Sequence, residues 1–267
     1  MIPLGRKKLP SSRDELAQAI DDALRRYVNK SGPLVVIRSR VFPYLDEIAI
    51  NLDGAKFDSP PAAPPAGTSE RKPAFEAALV RLSAQNISVR GVPANLQIEA
   101  HDVVLQKTND ANGEIILLPQ KAREGHVTVS AVQLDLEQAL ARFIEDQARP
   151  QGIVIEEVRL AIRERGPRSL AAEVRIQARK VFFRAKIDIY GQLDIDELFV
   201  ARISQLKCRS AGAIGARACS ALQPHLERFE GKTFSFKSLP LGDTQLHHLR
   251  IAVTDTVEIT VDFTSVA

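Results

Sequence analysis

Between Gly152 and Cys208 apolar residues alternate with polar ones almost without a break, and the alternation changes phase. Ile153 and Ile155 occupy odd positions, whereas Val158, Leu160 and Ile162 occupy even ones. Leu170, Ala172, Val174, Ile176 and Ala178 keep the even phase, and Val181, Phe183, Ala185, Ile187 and Ile189 return to the odd. Side chains in a strand alternate faces with period two, so a phase change inside one run calls for a bulge or bend. Long bent strands make a strongly curled antiparallel sheet. Such a sheet needs apolar material in its hollow, and amphipathic helices bracket the run. The expected fold class is α+β, a long-stranded curved antiparallel sheet wrapped around amphipathic helices.

The rest of the chain supplies those helices and more strands. Ser11 or Ser12 is placed to cap a first helix, with Leu16, Ala19, Ile20, Ala23, Leu24, Tyr27 and Val28 at helical spacing. Ser31-Gly32-Pro33 ends it, so residues 1–33 read as a basic segment plus helix and residues 34–267 as the curved-sheet domain. Leu34 to Ser39 and Ile48 to Phe57 read as strands on either side of Phe42-Pro43-Tyr44. Residues 59–73 hold five prolines in a polar, Ala-rich stretch and read as a loop. Leu79 to Val89 and Leu96 to Leu105 form a hairpin about Gly91-Val92-Pro93, and Glu114 to Leu118 and His126 to Val132 follow as strands. Asp135, with Gln138 three residues on, reads as the cap of a second helix whose stripe is Leu136, Ala139, Leu140, Phe143 and Ile144. A third helix runs from about Ala213 to Phe229, with Ile214, Ala218, Leu222 and Phe229 inward and Pro224 expected to kink or split it.

Composition excludes several classes. The chain has 267 residues, 45% of them hydrophobic, ample for a core, and a net charge of +3 too small to demand a nucleic-acid partner. No apolar stretch is long enough to span a bilayer, and Arg6, Lys7 and Lys8 have no apolar run behind them as a secretory signal would. The expected location is cytoplasmic or peripheral to a membrane. Cys208 and Cys219 are too few for a disulfide scaffold and lack zinc spacing; they read as two buried thiols, or as a bridge from a strand end to the next helix.

The motifs of catalysis are missing: no Gly-x-Ser-x-Gly, no His-Glu-x-x-His, no Walker loop and no dinucleotide fingerprint. The histidines at 101, 126, 225, 247 and 248 show no metal-ligand spacing, so neither a metal site nor another cofactor is expected. Asp188, Asp194, Asp196 and Glu197 surround Gly191, where a hairpin turn is expected, and read as solvated turn residues. Gly212 and Gly215 sit between a strand and a helix start, which fits close packing better than a phosphate site. The basic cluster is the sharper signal: Arg163, Arg165, Arg168, Arg175, Arg179, Lys180, Arg184 and Lys186, with only Glu164 and Glu173 between them. Its alternation puts most of these cations on the outer face of strands whose inner face is apolar. That face reads either as a solvated sheet surface or as a dock for an anionic surface; aromatics are few, so phospholipid is favoured over nucleic acid.

Val35-Val-Ile-Arg-Ser-Arg-Val-Phe-Pro-Tyr-Leu, Ile48-Ala-Ile-Asn-Leu, the hairpin Ile87 to Leu105 and Val127-Thr-Val-Ser before the helix at Leu134 resemble the bacterial LmeA-like phospholipid-binding family. Ile187-Asp-Ile-Tyr-Gly-Gln-Leu and Leu239-Pro-Leu-Gly-Asp-Thr-Gln-Leu-His-His-Leu-Arg-Ile continue the resemblance, which covers most of the chain from about residue 34. It implies a tubular lipid-binding (TULIP-like) fold, a bent sheet around a long helix with a greasy groove, and no catalytic residues.

The function expected is thus non-catalytic binding of a phospholipid or other acyl chain, with the basic face near anionic membrane. The candidate groove residues are Leu140, Phe143, Ile144, Phe183, Ile187, Ile214 and Leu222. The alternatives are a structural or interaction module whose hollow its own helices fill, and a nucleic-acid binder using the basic face.

Overall fold

The structure is a computed structural model and describes residues 2–57, 70–89, 91–236 and 243–265. The first helix, α1 (Arg13–Arg25), starts where the sequence suggests. The Ser12 hydroxyl accepts the Glu15 N–H at 3.2 Å, and the Glu15 carboxylate takes the Ser11 N–H at 2.7 Å. Its buried stripe is Leu16, Ala19, Ile20 and Ala23.

Around α1 lie β1 (Ile2–Pro3), β2 (Val28–Asn29), β3 (Val35–Arg38), β4 (Tyr44–Leu45), β5 (Glu47–Asn51) and β6 (Lys56–Phe57). The long hairpin β7 (Lys72–Val89) and β8 (Val92–Asn109) follows, then β9 (Ile115–Lys121), β10 (Glu124–Val132) and α2 (Gln133–Ala148). The alternating run becomes a meander of β11 (Val154–Gly166), β12 (Ser169–Lys180), β13 (Phe183–Ile195) and β14 (Val200–Ala211). After it come α3 (Gly212–Glu227), β15 (Thr233–Ser235) and the closing pair β16 (Thr244–Val253) and β17 (Thr256–Ser265).

These strands form two sheets among the described residues. The large one has the path β16-β17-β10-β8-β7-β5-β3, with β9 and β1 beyond β8 and the short β4 and β6 beside β7; the small one is β11-β12-β13-β14-β15. The large sheet departs from the antiparallel expectation, because β4, β5 and β6 run parallel to β7. A parallel pair needs a long connection, which residues 58–71 supply in length. Most of the Pro-rich stretch falls outside the described residues, but Lys72 and Pro73 already belong to β7, beside a register shift.

A crease crosses the large sheet. Core-facing residues jump by three positions in each neighbouring strand, from Leu45 to Ile48, from Ala77 to Val80 and from Val103 to Ala100. Asp102 sits on the crease with φ 49, a left-handed conformation that turns the strand. Both halves can then point their apolar sides toward one interior. Leu16 and Ile20 of α1, Ile48 and Ile50 of β5, Phe75 of β7 and Leu117 of β9 share that core. A smaller cluster joins the sheets: Ile195, Phe199 and Ala201 meet Leu249 and Ile251, so the apolar faces of the two sheets touch at that end.

Two carboxylates tie loops to this frame. Asp21, only 8% exposed, accepts the Leu34 N–H at 2.6 Å and the Arg25 Nε at 2.5 Å, which fixes α1 to the entry of β3. Asp21→Ala would strand a buried N–H and a half-buried guanidinium, and should lower the unfolding free energy by about 3 kcal/mol. An unshifted urea midpoint for the variant would refute this.

Asp53 accepts the Ser83 hydroxyl at 2.7 Å and the Gln85 N–H at 2.8 Å. The Ser83 hydrogen bond, with help from Gln85, Lys30 and Asn51 and against burial, holds its carboxyl below the ordinary range. A depressed folded pKa means the stabilisation is complete above the unfolded value of about 4 and is lost as pH falls through the folded one. Melting curves from pH 2 to 7 should therefore show Asp53→Asn and the parent furthest apart above about pH 4 and converging in acid. A gap that stays constant across that range would contradict the assignment.

Candidate functional site

The small sheet shows how the phase changes are used. Between Ile155 and Glu157 the β11–β12 register shifts, so the first phase change is a bulge. The second is a turn: Val181 and Phe182 link Lys180 to its partner Phe183, and such a two-residue link pairs even positions of β12 with odd positions of β13. Ile162, Ala172 and Gly191 thereby fall in one row, Leu160, Val174 and Ile189 in the next, and Val158, Ile176 and Ile187 in a third. The sheet thus has one continuous apolar face. Gly191 is not the expected turn but lies inside β13 at a bulge, where a Cβ would come within 2.8 Å of Leu206. The turn is further on, where the Asp196 carboxylate accepts the Leu198 and Val200 N–H groups at 2.9 Å.

Helices border this face on two sides. α2 lies along β11, the free edge of the sheet. Its Glu137 carboxylate accepts the Leu160 N–H at 2.7 Å and its Gln133 side chain accepts the Ile162 N–H at 3.1 Å. Edge N–H groups that would otherwise recruit another strand are thus satisfied. The expected Asp135 cap is not formed. The helix starts one turn earlier, at Gln133, because the Asp255 carbonyl in the β16–β17 turn takes the Gln133 N–H at 2.8 Å.

α3 packs on β13 and β14, held by a disulfide between Cys208 and Cys219. The reading of two free thiols is therefore replaced by the strand-to-helix bridge. Cys208 pairs with Ile189 on the apolar face, so the bridge pins α3 to that face. It also sets the helix's rotation: Gly215, Cys219, Leu222 and Leu226 turn inward, while Ile214 and Phe229, expected inward, are exposed. A Cβ at Gly215 would sit 2.7 Å from the Ser210 side chain, so close packing explains that glycine. The helix continues through Pro224 without ending there.

The candidate groove residues separate into two groups. Leu140 and Ile144 are half-buried on the β11 side, whereas Ile187 is buried and Leu222 half-buried on the α3 side. Phe143 is 62% exposed, and Phe183 and Ile214 are exposed near the β12–β13 turn and the start of α3. Between the helices the face is covered in part: Leu160, Ile162, Val174 and Ile189 are half-buried. Sequence reasoning left these four out of the candidate groove, although the strand pairing puts them on the same face as Ile187.

The opposite face carries the basic cluster, but not as a bare cationic surface. Arg175 pairs with Glu173 and Asp188, each at 3.0 Å, and Arg179 and Arg184 share Glu156 at 3.1 and 3.5 Å. Arg165 bonds to Gln192 at 3.0 Å, and Arg168 lies over the Phe199 ring. Glu156 and Asp188 fall outside the window between Arg163 and Lys186 or past its end, which hid this pairing from a linear count. Among the described residues Arg163, Lys180 and Lys186 have no carboxylate within ion-pair reach.

A hollow of about 870 Å³ lies on the large sheet, where Arg81, Glu99, His101, His126 and Asp262 meet apolar residues such as Leu82, Ile98 and Phe263. Its charges are committed to one another. Glu99 takes Arg81 at 3.0 Å and His101 at 3.1 Å, and Asp262 lies 2.5 Å from His126. The Arg81 hydrogen bond holds the Glu99 carboxyl below its ordinary range. Among the described residues no three His, Cys, Asp or Glu side chains converge as a metal site. The small sheet, by contrast, offers an apolar face that the described residues cover only in part.

No family model, no curated protein and no solved structure matches this chain.

Proposed function

We propose that this is a non-catalytic lipid-binding protein that lays the acyl chain of a phospholipid or fatty acid along the small sheet, between α2 and α3. The observation that carries the reading is the apolar strip of Leu160, Ile162, Val174 and Ile189, which stays only half-buried although α2 and α3 flank it. Each methylene removed from water there gains roughly 0.8 kcal/mol, so a long chain binds without needing polar contacts. The likeness to the LmeA-like family and to a tubular lipid-binding fold belongs to this proposal. The Cys208–Cys219 bridge favours an oxidising compartment over the cytoplasm. Nucleic acid is the weaker partner, because Tyr190, the aromatic on the basic face, already carries the Arg209 guanidinium.

A fluorescent fatty acid titrated into the protein tests the reading. Val174→Asp puts a carboxylate in the middle of the strip and should weaken uptake at least tenfold, a change of about 1.4 kcal/mol. Arg175→Glu, on the opposite face, should leave uptake unchanged. Phe143→Ala should cost less than about 1 kcal/mol of stability, since an exposed ring leaves no cavity behind. Uptake by the Val174 variant equal to that of the parent would remove the strip from consideration.

A further inference from the structure

The β12–β13 turn is made of residues that a turn ordinarily avoids. Two-residue hairpin links favour Gly, Asn and Asp because at least the first central residue takes a positive φ. Here that residue is Val181, at φ 55, a conformation seldom adopted by a β-branched side chain. It is followed by Phe182 and Phe183. Val181 is 64% exposed, Phe182 92% and Phe183 62%, so three successive apolar side chains project from the end of the sheet. Val154, across from Arg179, and Ile214, in the first turn of α3, add exposed apolar surface at the same end.

Cations surround this tip. Arg179 and Lys180 precede the turn, and Arg184 and Lys186 follow it. The one carboxylate that reaches them is Glu156, shared by Arg179 and Arg184, while Lys180 and Lys186 have no acidic partner among the described residues. A protruding apolar point ringed by long basic side chains matches a bilayer of anionic phospholipid. The rings enter the acyl boundary, and the Lys and Arg stems lie along it with their charges among the head groups. A protein partner would need a pocket of the right depth and an acidic rim; the bilayer supplies both without a specific shape.

We infer that Val181, Phe182 and Phe183 form a membrane-inserting wedge, and that the protein docks tip-first on anionic phospholipid. The wedge rests on the lipid-binding reading for its purpose, but it uses different residues and is tested separately. It also replaces docking through the whole basic face, where Arg175, Arg179 and Arg184 are paired with carboxylates.

The chain contains no tryptophan, so Phe182→Trp introduces a single reporter at a site too exposed to disturb folding. With vesicles of phosphatidylcholine containing 30% phosphatidylglycerol, its emission should shift to the blue and be quenched by lipids brominated along the acyl chain. Pure phosphatidylcholine should give a much smaller shift, and added salt should reverse binding. Leu198→Trp, in the turn at the other end of the sheet, should stay unshifted. Phe182→Asp should abolish vesicle pelleting while fatty-acid uptake persists. An unshifted Phe182→Trp with anionic vesicles overturns the wedge and, if fatty acid still binds, leaves the groove standing. A blue shift without vesicles that grows with protein concentration overturns it in favour of self-association. A vesicle-dependent shift without fatty-acid uptake supports the wedge and overturns the groove.

Discussion

The large sheet depends on the crease that runs through Asp46, Ala78 and Asp102. Without it, the alternation in β7 and β8 would put Phe75, Ala77, Val103 and Leu105 on the face opposite to Val80, Leu82, Ile98 and Ala100. One of the two groups would then be in water. By changing phase in both strands at the same register, the hairpin turns both groups toward α1 and the sheet interior. The neighbouring segment follows, since Leu45 and Ile48 make the same three-residue jump. Asp102, in the left-handed conformation, is further held from outside by Arg123, whose Nε lies 2.6 Å from its carboxylate. Gly125 shows how tightly the neighbouring strands then meet, because the Phe263 ring occupies the space a Cβ would need.

The small sheet is finished differently, and its exposed surface follows from that. Its free edge is closed by side chains of α2 rather than by another strand, and its apolar face over β13 and β14 by a helix bridged to β14. α2 lies along the β11 edge and α3 over β13 and β14, so the rows between them are covered only in part. At the end away from the β12–β13 turn, β16 and β17 complete the cover through Leu249 and Ile251. What remains is a half-buried strip, set off from the β12–β13 turn by the buried row of Val158, Ile176 and Ile187.

Much of this was legible in the residues. The run from Gly152 to Cys208 gave the four strands, and the step from Ile155 to Val158 marked a real bulge. The Ser12 cap and the β7–β8 hairpin were equally plain. The same parity test applied to Ala77 and Val80 would have located the crease, which hydrophobic alternation over shorter windows blurred. Parallel pairing of β5 with β7 was not legible, because nothing local distinguishes a half-buried strand by the direction of its neighbour. The rotation of α3 was hidden for a related reason: the bridge from Cys208 to Cys219 sets it, overriding an apolar stripe that would have turned Ile214 and Phe229 inward. The charge of the basic face was misjudged because Glu156 and Asp188 neutralise arginines across strands.

The turn at Val181 is where local preference and fold disagree most. A positive φ at a β-branched residue costs of order 1–3 kcal/mol, and a glycine or asparagine there would remove most of it. Exposing Phe182 and Phe183 contributes nothing to the core. Hairpin formation alone therefore favours a different sequence at these three positions. The proposed membrane wedge accounts for an apolar turn ringed by cations, because a bilayer surface supplies an apolar phase beneath an anionic layer. The strip of Leu160, Ile162, Val174 and Ile189 is separated from that end of the sheet by the buried row of Val158, Ile176 and Ile187, so the proposed groove and the proposed wedge occupy different parts of the sheet.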